Sequence, residues 1–260
     1  MKRKLLIALA VLLFFFGLGV LLYPTIRTAA FRQAERREIR RFQEYRAEYR
    51  AEGGTSLDAS SIDAPEDILH PENHAKTEPA EGQRAFPELW EACVAYNTRL
   101  VGEQPTSLTA SGMNSPALVL SEYGWKEEVF AALSIPSAQI ETPLYLGASR
   151  SNLVKGGVIL GQTSLPIGGE STHCVIGGHR TWNAILHPFV SLEEVSVGDL
   201  VQITNPWESL SYRVISTQTI YPDDLEQVRI QPGRDLLSIF TCTYPNTRRV
   251  LVTCERMKEA

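Results

Sequence analysis

Apolar positions fall along this chain in three patterns, and each predicts a different kind of segment. Residues 5–22 carry no charge. At about 1.5 Å per residue, a helix over that run reaches roughly 27 Å, close to the ~30 Å of a bilayer core. Lys2, Arg3 and Lys4 precede it, and no clean Ala-x-Ala site follows. The pattern predicts an uncleaved signal anchor over residues 1–24 rather than a cleaved signal peptide. Arg27, Arg32, Arg36, Arg37, Arg40 and Arg41 follow the span, which runs against placing the rest of the chain outside.

The second pattern covers residues 25–54. Glu35, Glu38, Glu44 and Glu48 alternate with arginines, some at i,i+4 spacing, and Phe31, Ile39, Phe42, Tyr45 and Tyr49 form a thin apolar stripe. This predicts an exposed, charged stalk helix standing off the membrane and ended by Gly53-Gly54. Residues 55–85 are rich in Pro, Ser, Asp and Glu, and bury too little to offset ordering entropy, so they read as a linker. Residues 86–133 form a helical and lid-like region. Pro87 suits the N1 position of a short helix over 88–99, with Leu89, Trp90, Cys93 and Tyr96 as its apolar side. Residues 101–117 are loop-like, and a second helix is predicted over 118–133.

The third pattern begins near residue 134. Short alternating or β-branched runs at 144–147, 157–160, 173–176, 200–204, 211–219, 235–241 and 248–254 are separated by Gly and Pro turn signals. Many short strands with little helix predict a mainly β fold, a closed barrel over residues 134–260 with short helices.

Composition narrows the function. A formal net charge of -5 does not suit a nucleic-acid partner. The four cysteines, Cys93, Cys174, Cys242 and Cys254, include no pair at C-x-x-C spacing, so a zinc ribbon or thioredoxin-type motif is not indicated. His173, Cys174 and His179 match no zinc pattern. No metal and no cofactor are expected.

Two segments carry candidate chemistry. Cys242 ends an apolar strand and opens a Pro-containing turn, and Arg249 starts the returning strand. Antiparallel pairing across that turn would bring the guanidinium near the sulfur, where it favours thiolate and can bind a developing oxyanion. Upstream, His179 ends another apolar strand after Gly177-Gly178, whose missing side chains permit close approach. Thr241 and Gly178, beside these residues, are candidate substrate-binding positions. Arg180 and Arg248 rival Arg249, although alternation puts Arg248 on the opposite face. His173, Cys174 and Cys254 read as packing residues, and His70, His74 and His187 as loop residues.

These segments together resemble the sortases, most closely the pilus-building class C. Ile135-Pro136, Pro143-Leu144-Tyr145-Leu146-Gly147, the stretch Gly161 to Gly169, Glu170-Ser171-Thr172-His173, Gly178-His179-Arg180, Gly198-Asp199, Pro232-Gly233, Thr241-Cys242-Thr243 and Asn246-Thr247-Arg248-Arg249 occur in the order expected. The resemblance implies an eight-stranded barrel, Cys242 as nucleophile, His179 as general acid/base and Arg249 as the essential arginine. It also implies cleavage of an LPXTG-type sorting signal between Thr and Gly through a thioester, with transfer to an amine. The implied partners are pilins or other LPXTG-type surface proteins, and a pilin lysine or a cell-wall cross-bridge amine. The implied location is the membrane of a Gram-positive cell, with the catalytic domain extracellular. Class C members usually carry an Asp-Pro-aromatic lid, whereas Asn114-Ser115-Pro116-Ala117 holds neither acid nor aromatic. The rivals are a wall-anchoring sortase and a catalytically silent, membrane-tethered pilin-binding module. A papain-like hydrolase is disfavoured by the β pattern and by histidine preceding cysteine.

Overall fold

The structure, a computed structural model, describes residues 2–53, 84–103, 110–182, 185–222, 224–245 and 247–257. Its centre is a closed barrel. In chain order the strands are β1 (Val129–Ile135), β2 (Ile140–Leu146), β3 (Gly157–Ile159), β4 (Thr172–Gly177), the short β5 (Thr181–Trp182) and β6 (Ile185–Leu186), β7 (Leu200–Thr204), β8 (Ser209–Ile220), β9 (Asp235–Cys242) and β10 (Arg249–Arg256). Eight of them close in the order β1-β2-β3-β4-β9-β10-β8-β7, and β5 and β6 form a separate hairpin. The expected eight-stranded barrel is therefore what the chain builds.

Alternation along β9 and β10 shows how the sequence selects the faces. Leu237, Ile239, Val250, Val252 and Cys254 are buried in the core. The intervening positions, Ser238, Phe240, Cys242, Arg249, Leu251 and Thr253, take the other face, because strand side chains have a period of two. The residues paired across the ladder, Cys242 with Arg249 and Ser238 with Thr253, keep this assignment in step.

Residues 118–133 do not form the expected helix. A 3-10 turn at Leu120–Tyr123 is followed by β1. Val129 to Leu133 are all buried, so this strand has no polar face to mark it. Ala131, Ala132 and Leu133 favour helix locally, but pairing with both β2 and β7 overrides that preference.

Helix α1 (Lys2–Gly53) runs unbroken from the apolar N-terminus through the charged region. It includes one stretch long and apolar enough to cross a membrane, with a mean hydropathy of 2.3. Beyond that stretch the helix does not stand clear of the barrel. Ile39 and Phe42 are buried at 3% and 0% exposure and join the same core as the strands. The Phe42 ring lies 5.9 Å from that of Trp125, and the Tyr45 ring lies 4.9 Å from Trp125. Arg46 donates to the Pro206 carbonyl at 3.1 Å, and Arg41 pairs with Glu127 at 3.1 Å. The thin stripe that suggested an exposed stalk is narrow because only one face docks. The arginines on the other faces remain in solvent.

Helix α2 (Pro87–Gly102) begins at the expected proline. Its buried Asn97 both donates to the Leu165 carbonyl, at 3.1 Å, and accepts from the Leu165 amide, at 2.8 Å. The short α3 (Ala110–Asn114) continues into a segment whose Met113 carbonyl accepts from the Ala148 and Gly161 amides. Gly147 and Gly161 allow this approach, since a β-carbon at Gly161 would meet the Gly112 oxygen at 2.1 Å. β3 runs antiparallel to β4, so this docking point follows the end of β3 that is away from His179. The linker expected over 55–85 falls almost wholly outside the described residues, as do His70, His74 and residues 104–109.

Candidate active site

The candidate residues converge at one rim of the barrel. Cys242, the last residue of β9, is the ladder partner of Arg249, the first residue of β10. Directly opposed residues in an antiparallel pair present their side chains on the same face, with β-carbons about 5 Å apart. The parallel pairing of β4 with β9 ends at Gly177 opposite Phe240. Carried two residues further, that register sets His179 beside Cys242 on the same face. Three residues from separate stretches of sequence thus share one strand-end surface.

The glycine pair before His179 has a packing explanation. A β-carbon at Gly178 would sit 2.4 Å from the Phe189 ring, and one at Gly177 would sit 2.9 Å from the Phe240 ring. Two aromatic rings therefore lie against the backbone that leads to the histidine. Thr241 is fully buried, and its hydroxyl donates to the Gly178 carbonyl at 2.8 Å. The two positions singled out as substrate-binding are thus joined to each other, tying the end of β9 to the end of β4.

Burial separates the four cysteines, all of them free thiols. Burial pushes the Cys93 and Cys254 thiols up to about 12, and drives Cys174 higher still. Those three are protonated and enclosed by core residues. Cys242 is the half-buried one, reachable from solvent. His179 is also half-buried, and desolvation lowers its pKa below the ordinary histidine value.

The two arginines divide as strand alternation predicts. Arg248 points to Tyr221, with its guanidinium 4.9 Å from the ring centroid and a 3.2 Å bond to the phenol oxygen. Arg249 stays on the cysteine face, with Nη1 donating to the Arg248 carbonyl at 3.3 Å. Arg180 is ion-paired with Glu193.

His173 is fully buried and serves the fold. Its Nδ1 donates to the Arg229 carbonyl at 2.8 Å, so in the neutral ring Nε2 accepts from the Ser238 hydroxyl, also at 2.8 Å. Desolvation lowers its pKa to about 4, which keeps the ring neutral. Strand alternation places Cys174 on the opposite face from His173, so the two cannot ligate one ion.

One site residue was not legible in the sequence. His187, read as a loop residue, is 2% exposed, and its ring lies 5.9 Å from that of His179 in an edge-on arrangement. Desolvation and the neighbouring His179 lower it to about 4. The signal available was Ile185, Leu186 and Pro188 around it, an apolar stretch that a surface loop would not need.

The sequence model for the Sortase domain matches residues 133–257, the whole of the barrel from the end of β1 to β10. Sortase C from Streptococcus pneumoniae superposes with a TM-score of 0.58 at 31% identity, covering 70% of this chain and 91% of that one. The chain belongs to the sortase family. Sortase A from Corynebacterium diphtheriae is similar in the same way, with a TM-score of 0.59 at 30% identity over 68% of this chain and 86% of that one. By sequence, sortase A from Streptococcus agalactiae is 24% identical over 133 residues, 50% of this chain and 53% of the relative. The chain thus spans about half the length of the curated relatives it matches. The solved sortases also match part of the chain before residue 133, since they cover more of it than the 133–257 match alone.

Proposed function

We propose that this sortase-family chain is a cysteine transpeptidase that cuts an LPXTG-like sorting signal between Thr and Gly and passes the acyl group to an amine. The observation that carries this reading is the ladder pairing of Cys242 with Arg249, with His179 one strand away on the same face. The Cys242 sulfur attacks the threonine carbonyl carbon while His179 takes the thiol proton. Arg249 donates to the tetrahedral oxyanion. The C–N bond then breaks, the imidazolium gives its proton to the departing glycine amine, and a thioester remains. An incoming amine, deprotonated by His179, attacks that thioester and releases the sulfur. Thr241, through its bond to the Gly178 carbonyl, holds together the two strand ends on which the peptide lies.

In this reading residues 1–24 anchor the chain as a single pass, 25–54 form the helix that carries the barrel, 55–85 link, 86–128 form the helical and lid-like region, and the catalytic barrel, which starts with β1 at Val129 rather than at 134, lies outside the cell. The sortase C neighbour described for pilin substrate specificity favours pilin joining, with a lysine as acceptor. Anchoring of surface proteins to a cell-wall amine is the second reading, favoured by the equally similar sortase A. The test is incubation of the full chain in detergent with an LPXTG peptide and either a pilin-derived lysine peptide or a glycine oligomer. Transpeptidation product with either amine supports the activity and its identity assigns the acceptor. Failure to cleave the peptide contradicts the proposal.

A further inference from the structure

The face of α1 that docks on the barrel has a strict period. Thr28, Phe31, Glu35, Glu38, Phe42, Tyr45 and Tyr49 fall at alternating steps of three and four, so they line one side of the helix. In the upper half of this stripe, Phe42 and Tyr45 enter the core around Trp125, and the Thr142 hydroxyl donates to Glu35 at 2.6 Å. The lower half, nearest the apolar span, meets a different part of the protein. The Leu186 amide donates to the Thr28 hydroxyl at 3.3 Å, and the Phe31 ring packs 4.3 Å from the ring of His187.

His187 in turn is fixed from two sides. Its amide donates to the Arg180 carbonyl at 3.1 Å, closing the loop that begins at His179. Its ring stands edge-on to His179 at 5.9 Å. Burial lowers the His187 pKa first and the neighbouring His179 second, while Arg180 is ion-paired with Glu193. We propose that Phe31 and His187 are positioning residues for His179, so that the first turns of α1 beyond the membrane span form the outer support of the active site. This rests on the reading of His179 as the general acid/base.

The physical case is a run of two ring contacts, Phe31 tilted against His187 and His187 edge-on to His179. Phe31 sits on a long helix docked along the barrel by Phe42 and Ile39, so it cannot drift. It packs on the ring of His187, which is 2% exposed. A covered, neutral His187 limits the orientations open to His179 and withholds water from one side of that ring. Neither Phe31 nor His187 has to touch the peptide, so their removal should act on turnover and on the His179 titration rather than on peptide binding. An anchor that served only as a tether would leave both unchanged.

The test compares full-length wild type, Phe31→Ala, Phe31→Tyr and the exposed-face control Gln33→Ala in the same detergent, with an LPXTG peptide as substrate. Phe31→Ala is expected to lower kcat roughly 10- to 100-fold, as misplaced catalytic groups do. KM should stay within about twofold. The acid limb of kcat/KM should move up toward the ordinary histidine pKa as water reaches the ring. Phe31→Tyr, which keeps the ring, should restore both, and Gln33→Ala should match wild type. If melting curves show Phe31→Ala unfolded, Phe31→Leu, which keeps most of the volume without the ring, carries the same expectations. Unchanged kcat and an unmoved acid limb in the folded variant would overturn the inference. Cys242→Ala is assayed in parallel. If that variant is inactive while Phe31→Ala behaves as wild type, the positioning role alone fails. If Cys242→Ala is active, the underlying assignment of the site fails.

Discussion

Arg249 stands directly across the β9–β10 ladder from Cys242, while its sequence neighbour Arg248 turns away to the ring of Tyr221. Arg249→Lys should therefore lose activity severely and Arg248→Lys only mildly, because a lysine does not reproduce the forked donors of guanidinium. Losing a donor to the oxyanion typically costs about 3–4 kcal/mol, felt in kcat. Steady-state kinetics on the two variants decides this, and the reverse ranking would contradict the register.

The cysteines should separate in the same assay. Cys242→Ala should abolish cleavage with an unchanged melting temperature, since its side chain is only half-buried. Cys174→Ala and Cys254→Ala should keep most activity and lose some stability, because both thiols are enclosed and held protonated. Iodoacetamide should label Cys242 first in the native protein. Early labelling of Cys174 or Cys254 would mean that the core opens more readily than its packing implies.

How far these residues could be read from the sequence depended on whether their patterns were local. β7 was expected at 200–204 and forms there, and β8 and β9 differ from expectation by a residue or two. Their alternation and flanking turns specify them without outside help. β1 and the start of β2 were not legible, because β1 is buried on both faces and β2 reaches back from the apolar run at 144–147 through Pro143 to Ile140. Cys242 and His179 stood out as polar residues ending apolar strands and Arg249 as the residue opening the returning one, with Thr241 and Gly178 beside them, whereas His187 did not. His187 becomes visible only once the β5–β6 hairpin folds back on His179 and Phe31 covers it. The docking of α1 was hidden likewise, since its partner Trp125 lies far along the chain.

That docking has a stability consequence. Phe42 is fully buried in the cluster that α1 shares with the strands, so Phe42→Ala should cost about 3–5 kcal/mol. Urea melts of the full chain would measure this, and a loss under about 1 kcal/mol would mean that α1 sits loosely on the barrel. A domain cut to begin near residue 86 should be destabilised for the same reason.

Glu35 adds a pH dependence to the same contact. Desolvation raises its pKa to about 8, with the Thr142 hydroxyl bond acting in the opposite direction. A raised folded-state value favours the protonated form, so this contribution is complete below about 4.5 and is lost as pH rises through about 8. Glu35→Gln should remove that slope and leave the protein more stable than wild type at pH 8. Parallel slopes for the two proteins would show that Glu35 is not buried in solution.

The acid side of the activity profile should report His179. Burial lowers its pKa, so the neutral imidazole needed to accept the Cys242 proton persists below the ordinary histidine value of 6.5. The acid limb of kcat/KM should thus have its midpoint below 6.5. A midpoint above that value would contradict the desolvation of the ring that burial implies.

The central claim is that Cys242 carries an acyl group between two amines. Its most direct test is mass spectrometry of the full chain quenched in acid during turnover of an LPXTG peptide without added amine. The account predicts a thioester adduct ending in the threonine acyl group, mapped by digestion to the peptide holding Cys242 and discharged by hydroxylamine. Product formation with no adduct on Cys242, or an adduct mapped to Cys93, Cys174 or Cys254, would contradict it.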